Sequence, residues 1–149
     1  MKTNPMDMAL QEAEAAAAGG EVPVGAVIVD RTGMVLAVAG NRTVADHDPT
    51  AHAELIVIRE AARLLGSERL TDCDLHVTLE PCAMCAAAIS FARIRRLYYG
   101  AGDEKMGAVE HGGRFFSQPT CHHAPEVYSG IGETRAQALL LDFFRARRT

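Results

Sequence analysis

Four side chains in two short runs could build a site for metal-assisted hydrolysis. The runs are His52-Ala53-Glu54 and Pro81-Cys82-Ala83-Met84-Cys85. Cys82 and Cys85 are three residues apart, so on a helix they share a face. A helix N-terminus carries partial positive charge and lowers a thiol toward the thiolate that a metal needs. His52 adds a neutral imidazole nitrogen. Two thiolates and one imidazole suit Zn²⁺, and the thiolates balance its charge. Three protein ligands leave a fourth position for water, which is the pattern of a catalytic zinc. Such a water is a usable nucleophile near neutral pH. Glu54 is then the candidate to carry its proton to a leaving group. Residues i and i+2 do not face each other within a helix, so spacing alone does not bring Glu54 to the metal. A first-turn position, before the helix is regular, is required.

The same residue types allow other chemistry. A Cys-x-x-Cys pair also serves thiol redox reactions. A closed structural zinc would need a fourth ligand, and His47, Cys73 and His76 are available. His111, Cys121, His122 and His123 could form a second metal cluster in a region otherwise read as loop.

The elements that must position these residues follow from periodicity and punctuation. An Ala-rich helix over 6–18 carries Met6, Leu10, Ala13 and Ala17 at helical spacing and ends at Gly19-Gly20. Strands over 24–30 and 34–39 flank the turn Thr32-Gly33 as an antiparallel hairpin. Residues 40–50 read as loop, and Thr50 as the N-cap of an amphipathic helix closed by Gly66. Its expected inner face is Leu55, Ile58, Ala62 and Leu65. A strand over 75–79 leads to a helix opened by Pro81 at its first position, with Met84, Ala87, Ala88 and Phe91 inward. A strand over 96–100, loop over 101–125 and a short strand over 126–129 follow. A closing helix over 133–147 turns Ala136, Leu139, Leu140 and Phe143 inward. This order implies a three-layer α/β/α fold, a mixed sheet with helices on both faces and parallel strands where helices intervene.

With 149 residues, 48% hydrophobic and 23% charged, the chain reads as one globular domain over 1–149. The net charge of −4 argues against a surface that binds nucleic acid everywhere. Charge is uneven, however: residues 1–92 carry −7 and residues 93–149 carry +3, ending in Arg145, Arg147 and Arg148. A polyanion partner for that end and a helix C-terminus complemented by cations both fit. No apolar run reaches membrane-spanning length and no export signal is visible, so the expected address is cytoplasmic, with Cys73, Cys82, Cys85 and Cys121 reduced.

Together the two runs resemble the zinc-dependent nucleobase deaminases. The surroundings sharpen the likeness toward the bacterial tRNA adenosine deaminases of the cytidine deaminase-like superfamily. They are Glu21-Val22-Pro23-Val24-Gly25-Ala26, Asn41-Arg42, Asp48-Pro49-Thr50-Ala51-His52-Ala53-Glu54, Val77-Thr78-Leu79-Glu80-Pro81-Cys82 and Asp142-Phe143-Phe144-Arg145 with Arg147-Arg148. The resemblance implies a mixed five-stranded sheet and a homodimer with one Zn²⁺ per subunit, held by His52, Cys82 and Cys85. It implies hydrolysis of the wobble adenosine of a tRNA anticodon stem-loop, the arginine tRNA's in particular, to inosine. Glu54 would shuttle protons without binding the metal. Asn41 would hydrogen-bond the target nucleoside, and Val22, Leu79 and Ala101 would line the base pocket. Asp103 and Lys105 would touch neighbouring nucleotides, and Phe143, Phe144, Arg147 and Arg148 would help grip the anticodon arm. The chain departs from the family pattern at Gly102, where many members have a basic residue, and across 109–125.

Two other functions share these residues. A deaminase of free guanine, cytosine or a related nucleobase or nucleoside would use the same zinc site and would not need the terminal arginines. A zinc protein without activity, acting only as a partner subunit, would not need Glu54.

Overall fold

A computed structural model describes residues 4–147. The elements, in chain order, are α1 (Pro5–Ala18), β1 (Gly25–Val29), β2 (Val35–Gly40), α2 (Ala53–Leu65), β3 (Asp74–Leu79), α3 (Ala83–Ala92), β4 (Arg96–Ala101), a 3-10 turn (Phe115–Ser117), β5 (Glu126–Tyr128) and α4 (Glu133–Ala146). The five strands form one mixed sheet in the order β2-β1-β3-β4-β5. β1 pairs antiparallel with β2 and with β3, while β3, β4 and β5 run parallel. The expected hairpin and α/β/α layering are present. Strands joined by a helix point the same way, as expected, although β2 and β3 are not neighbours. β2 and β3 point the same way across the α2 crossover, but β1 lies between them and is antiparallel to both.

α1 and α4 cover one face of the sheet, and α2 and α3 the other. Every residue of β1 is buried, as a central strand covered on both faces requires. α1 lies unusually close to the sheet. Gly25 and Gly40 face each other across β1 and β2, and a Cβ at Gly25 would fall 1.9 Å from the Ala9 carbonyl oxygen. Ala9, Ala13 and Ala16 continue this close seam from the helix side. Asn4 starts the helix by accepting the Met6 N–H at 2.8 Å, with Pro5 in its first turn.

Two helix faces differ from the sequence expectation. α2 buries Ala53, Glu54, Val57 and Ala61, leaving Leu55, Ile58 and Ala62 half-buried and Leu65 exposed. Small side chains at i, i+4 and i+8 permit close contact with the sheet, so they take the inner face from the larger ones. α3 buries Cys85, Ala86, Ile89, Ser90 and Ala92, whereas Phe91 is 70% exposed. Its sequence is apolar all round, so periodicity does not choose a face. The closing helix behaves as expected: Ala136 and Phe143 are buried, and Leu139 and Leu140 half-buried.

The parallel strands β3 and β4 end at Leu79 and Ala101, and their carboxyl ends feed Glu80-Pro81-Cys82 and Gly102-Asp103. That edge, where open α/β sheets bind ligands, is where the candidate residues meet.

Candidate active site

The two motifs enter the site through the starts of two helices. His52 is the N-cap of α2, with extended backbone at φ −74°, ψ 149°. Cys82 is the N-cap of α3, also extended. Thr50 is therefore not the cap: its N–H and hydroxyl both bond Asp48 Oδ1, closing a turn before the helix. Pro81 likewise precedes the cap, and its carbonyl accepts the Ala108 N–H at 2.9 Å.

His52 Nδ1 lies 3.7 Å from Cys82 Sγ and 3.5 Å from Cys85 Sγ. All three donor atoms fall within 4.8 Å of one another. Zinc bonds of ~2.0 Å to nitrogen and ~2.3 Å to thiolate, opened to a tetrahedral angle, separate the two donors by ~3.5 Å. The donor spacing and chemistry therefore fit zinc. Among the described residues this is the one such cluster. His47, Cys73 and His76 do not join it, so the site has three protein ligands.

The two cysteines shift each other in opposite directions. The neighbouring Cys85, and then His52, hold the Cys82 thiol down at about 4 against the cost of burial. Cys82 in turn, together with burial, pushes Cys85 well above the ordinary thiol range. His52 is raised by its bond to Cys82 and by the charge of Glu54, against burial.

Glu54 occupies the second helical position of α2, the first-turn place that the two-residue spacing required. It is 4% exposed. Burial pushes its carboxyl up to about 7, opposed by a backbone N–H and the charge of His52. A carboxyl near neutrality can both take and give a proton.

Asn41 braces this corner. Its Oδ1 accepts the Ala53 N–H at 2.8 Å, and its Nδ2 donates to the Val22 carbonyl at 3.3 Å. One of the free N–H groups at the α2 terminus is thereby satisfied.

A cavity of about 230 Å³ opens above the cluster, lined by Val22, Asn41, Glu54, Leu79, Asp103 and Met106 among others. It shares Val22, Leu79, Asp103 and Met106 with an adjoining groove that runs past Gly102 and Lys105 to Leu140 and Phe144 on α4. Three sequence candidates lie elsewhere or face inward. Ala101 is buried in the core beneath α1 and α4 with Met6, Val27 and Ala136, and does not line the cavity. Phe143 is core as well. Arg147 is engaged within the chain, its guanidinium 3.7 Å from the Phe143 ring centre and bonded to the Gly20 carbonyl at 3.2 Å. Arg148 lies outside the described residues.

The loop histidines build no second metal centre. His111 bonds Glu80 at 2.6 Å. His123 bonds the Ile94 carbonyl at 2.7 Å, and Cys121 donates to the His123 carbonyl at 3.1 Å. None of the four cysteines forms a disulfide.

Sequence reasoning missed two buried carboxylates. Glu21 accepts the Val44 and Ala45 N–H groups and the Thr43 hydroxyl, fixing the loop after β2. Glu80 accepts N–H groups from Asp103, Val109, Glu110 and His111. Burial alone would raise both carboxyls, but these bonds hold them below the usual range. The available signal was a charged residue flanking an apolar strand, which must find partners once buried.

Residues 2–101 match the family described as the cytidine and deoxycytidylate deaminase zinc-binding region. The tRNA-specific adenosine deaminase of Agrobacterium fabrum is 62% identical over 147 residues, covering 99% of this chain and 96% of that protein. The Rickettsia bellii enzyme of the same description is 49% identical, covering 96% and 99%. A solved structure from a study of A-to-I editing by tRNA:A34 deaminases at the wobble position of transfer RNA superposes with a TM-score of 0.91 at 62% identity, covering 93% of this chain and all of the other. With the zinc-binding region matched and such likeness extending over nearly the whole chain, the protein belongs to the tRNA-specific adenosine deaminase family.

Proposed function

We propose that this chain converts the wobble adenosine of a tRNA anticodon to inosine by zinc-dependent hydrolysis. The observation that carries the reading is the placement of Glu54 beside His52, Cys82 and Cys85, under a cavity that adjoins a groove reaching α4. The likeness to tRNA-specific adenosine deaminases supports the substrate class. The arginine tRNA is the first substrate to offer.

His52, Cys82 and Cys85 would hold the zinc, which when bound makes water a nucleophile near neutral pH. Glu54 takes a proton from the attacking water and gives it to N1 of the adenine. It then takes the second proton and delivers it to the amine at C6, so that the C6–N bond breaks and ammonia leaves. A carboxyl near neutrality serves both directions. Asn41 holds the Ala53 N–H and hence the start of α2 in place. Its remaining amide hydrogen and lone pair face a nucleoside in the cavity. Val22 and Leu79 give the base an apolar seat, and Asp103, Lys105 and Phe144 meet the flanking nucleotides along the groove. Because the anticodon loop is single-stranded, the base can leave its stack at low cost. Arg147 acts by tying α4 to Gly20.

The whole chain acts as one domain, at a cytoplasmic address, as a homodimer. Among the described residues no helix is long and apolar enough to cross a membrane. Dimerisation is supported by the apolar side chains that the α2–α3 layer leaves exposed, with Leu64 at 64% and Phe91 at 70%.

The test is inosine formation in an adenosine-containing anticodon stem-loop by the zinc-loaded protein. RNA binding should weaken steeply with salt, as release of counterions requires. Turnover of a free base with no turnover of the RNA would replace this reading.

A further inference from the structure

The loop between β4 and the 3-10 turn supplies one wall of both the cavity and the groove, through Gly102, Asp103, Lys105 and Met106. Its tip is a self-contained turn. Asp103 Oδ1 accepts the Lys105 and Met106 N–H groups at 3.1 Å each, and the Asp103 carbonyl accepts the Gly107 N–H at 3.0 Å. Backbone pairing ties its far end to the site, with Gly107 bridging to Cys82 and the Ala108 N–H bonding the Pro81 carbonyl at 2.9 Å. One side chain bonds both ends of the loop.

Glu80 Oε1 accepts the Asp103 N–H at 2.9 Å and His111 Nδ1–H at 2.6 Å. Its Oε2 accepts the Val109, Glu110 and His111 N–H groups at 3.1, 2.9 and 3.0 Å. The Glu80 side chain is fully enclosed. A carboxylate offers about four lone-pair sites, so five donors saturate it. The loop has been shaped to the carboxylate: a Cβ at Gly107 would fall 2.5 Å from Glu80 Cδ, and one at Gly102 would fall 3.1 Å from His111 Cε1. Tyr99 adds a strut by donating to the Glu110 carboxylate.

We infer that Glu80 and His111 are a positioning pair that holds the 102–111 wall at its working distance from Glu54, and so set how well the enzyme holds RNA. The inference rests on the reading that the groove takes RNA. Glu80 touches no reacting atom. It acts through Asp103, Lys105 and Met106. His111 is the accessible half of the pair, with its side chain 39% exposed, so its removal leaves the core intact.

Zinc-loaded His111→Ala, His111→Asn and Glu80→Gln variants are compared with the parent on an anticodon stem-loop RNA. Zinc content and amide hydrogen exchange over 103–111 are measured alongside. His111→Ala raises KM for the RNA about 5–10-fold with kcat within about twofold, as expected when binding is lost without loss of chemistry. The amides of 109–111 exchange faster, and zinc content is unchanged. Asn places an amide donor where the imidazole Nδ1 sits, so His111→Asn restores both readouts. Glu80→Gln keeps the volume but turns an acceptor into a donor facing N–H groups, and exceeds His111→Ala in both. Parental KM and exchange in His111→Ala and Glu80→Gln overturn the inference. Loss of zinc from His111→Ala in step with activity also overturns it, since the pair would then support the ligands. If the parent itself leaves the RNA untouched, the proposed function falls, and the exchange data still decide whether the pair holds the loop.

Discussion

Asn41 Oδ1 accepts the Ala53 N–H at 2.8 Å, so the loop that leaves β2 helps cap the helix that starts after His52 and carries Glu54 in its first turn. The cap comes from a distant residue because His52, the local N-cap, makes no side-chain cap bond. Its ring is turned toward the two cysteines instead.

Asn41→Ala removes this cap and the bond to the Val22 carbonyl. The expected cost is about 1–2 kcal/mol of stability, read as a lowered midpoint in thermal or urea unfolding. Activity falls further than stability accounts for, because the α2 terminus positions Glu54. Parental activity in a folded Asn41→Ala variant contradicts this role.

Zinc uptake releases protons. Without metal, the neighbouring Cys85 and His52 hold the Cys82 thiol low, while Cys82 and burial push Cys85 above the ordinary thiol range, so a proton is expected to remain on the pair at neutral pH. Zinc needs both as thiolates. Apparent zinc affinity therefore rises with pH, by about tenfold per unit for each proton displaced. Titration calorimetry in two buffers of different ionisation enthalpy counts those protons. Uptake without release near pH 7 contradicts the retained proton.

The exposed apolar side chains of the α2–α3 layer predict a second association. Phe91→Glu puts a charge on a residue that is 70% exposed, so the fold tolerates it and an apolar subunit contact does not. Sedimentation is expected to show a dimer for the parent and a monomer for the variant. A monomeric parent contradicts the dimer.

The zinc ligands were legible in the sequence because Cys82-x-x-Cys85 and His52 carry their chemistry in residue type and spacing. The strands and helices were legible because Gly33, Gly66 and apolar runs mark them. The inner faces of α2 and α3 were not, since Ala53, Val57 and Ala61 take the sheet side for reasons of distance and not of hydrophobicity. Ala101 was misplaced by matching a motif without knowing which way β4 turns its side chains. Glu80 and Glu21 went without a role because their partners are backbone N–H groups, which no side-chain pattern displays.

Glu54 is proposed to move protons for deamination of adenosine in RNA without binding the metal. The most direct measurement compares parent and Glu54→Ala, each assayed for zinc, on an anticodon stem-loop and on free nucleobases. The expected result is inosine in the RNA for the parent, a kcat lowered by about 10²–10⁴-fold in the variant, and equal zinc in both. Deamination confined to free bases, or zinc lost with Glu54, would contradict it.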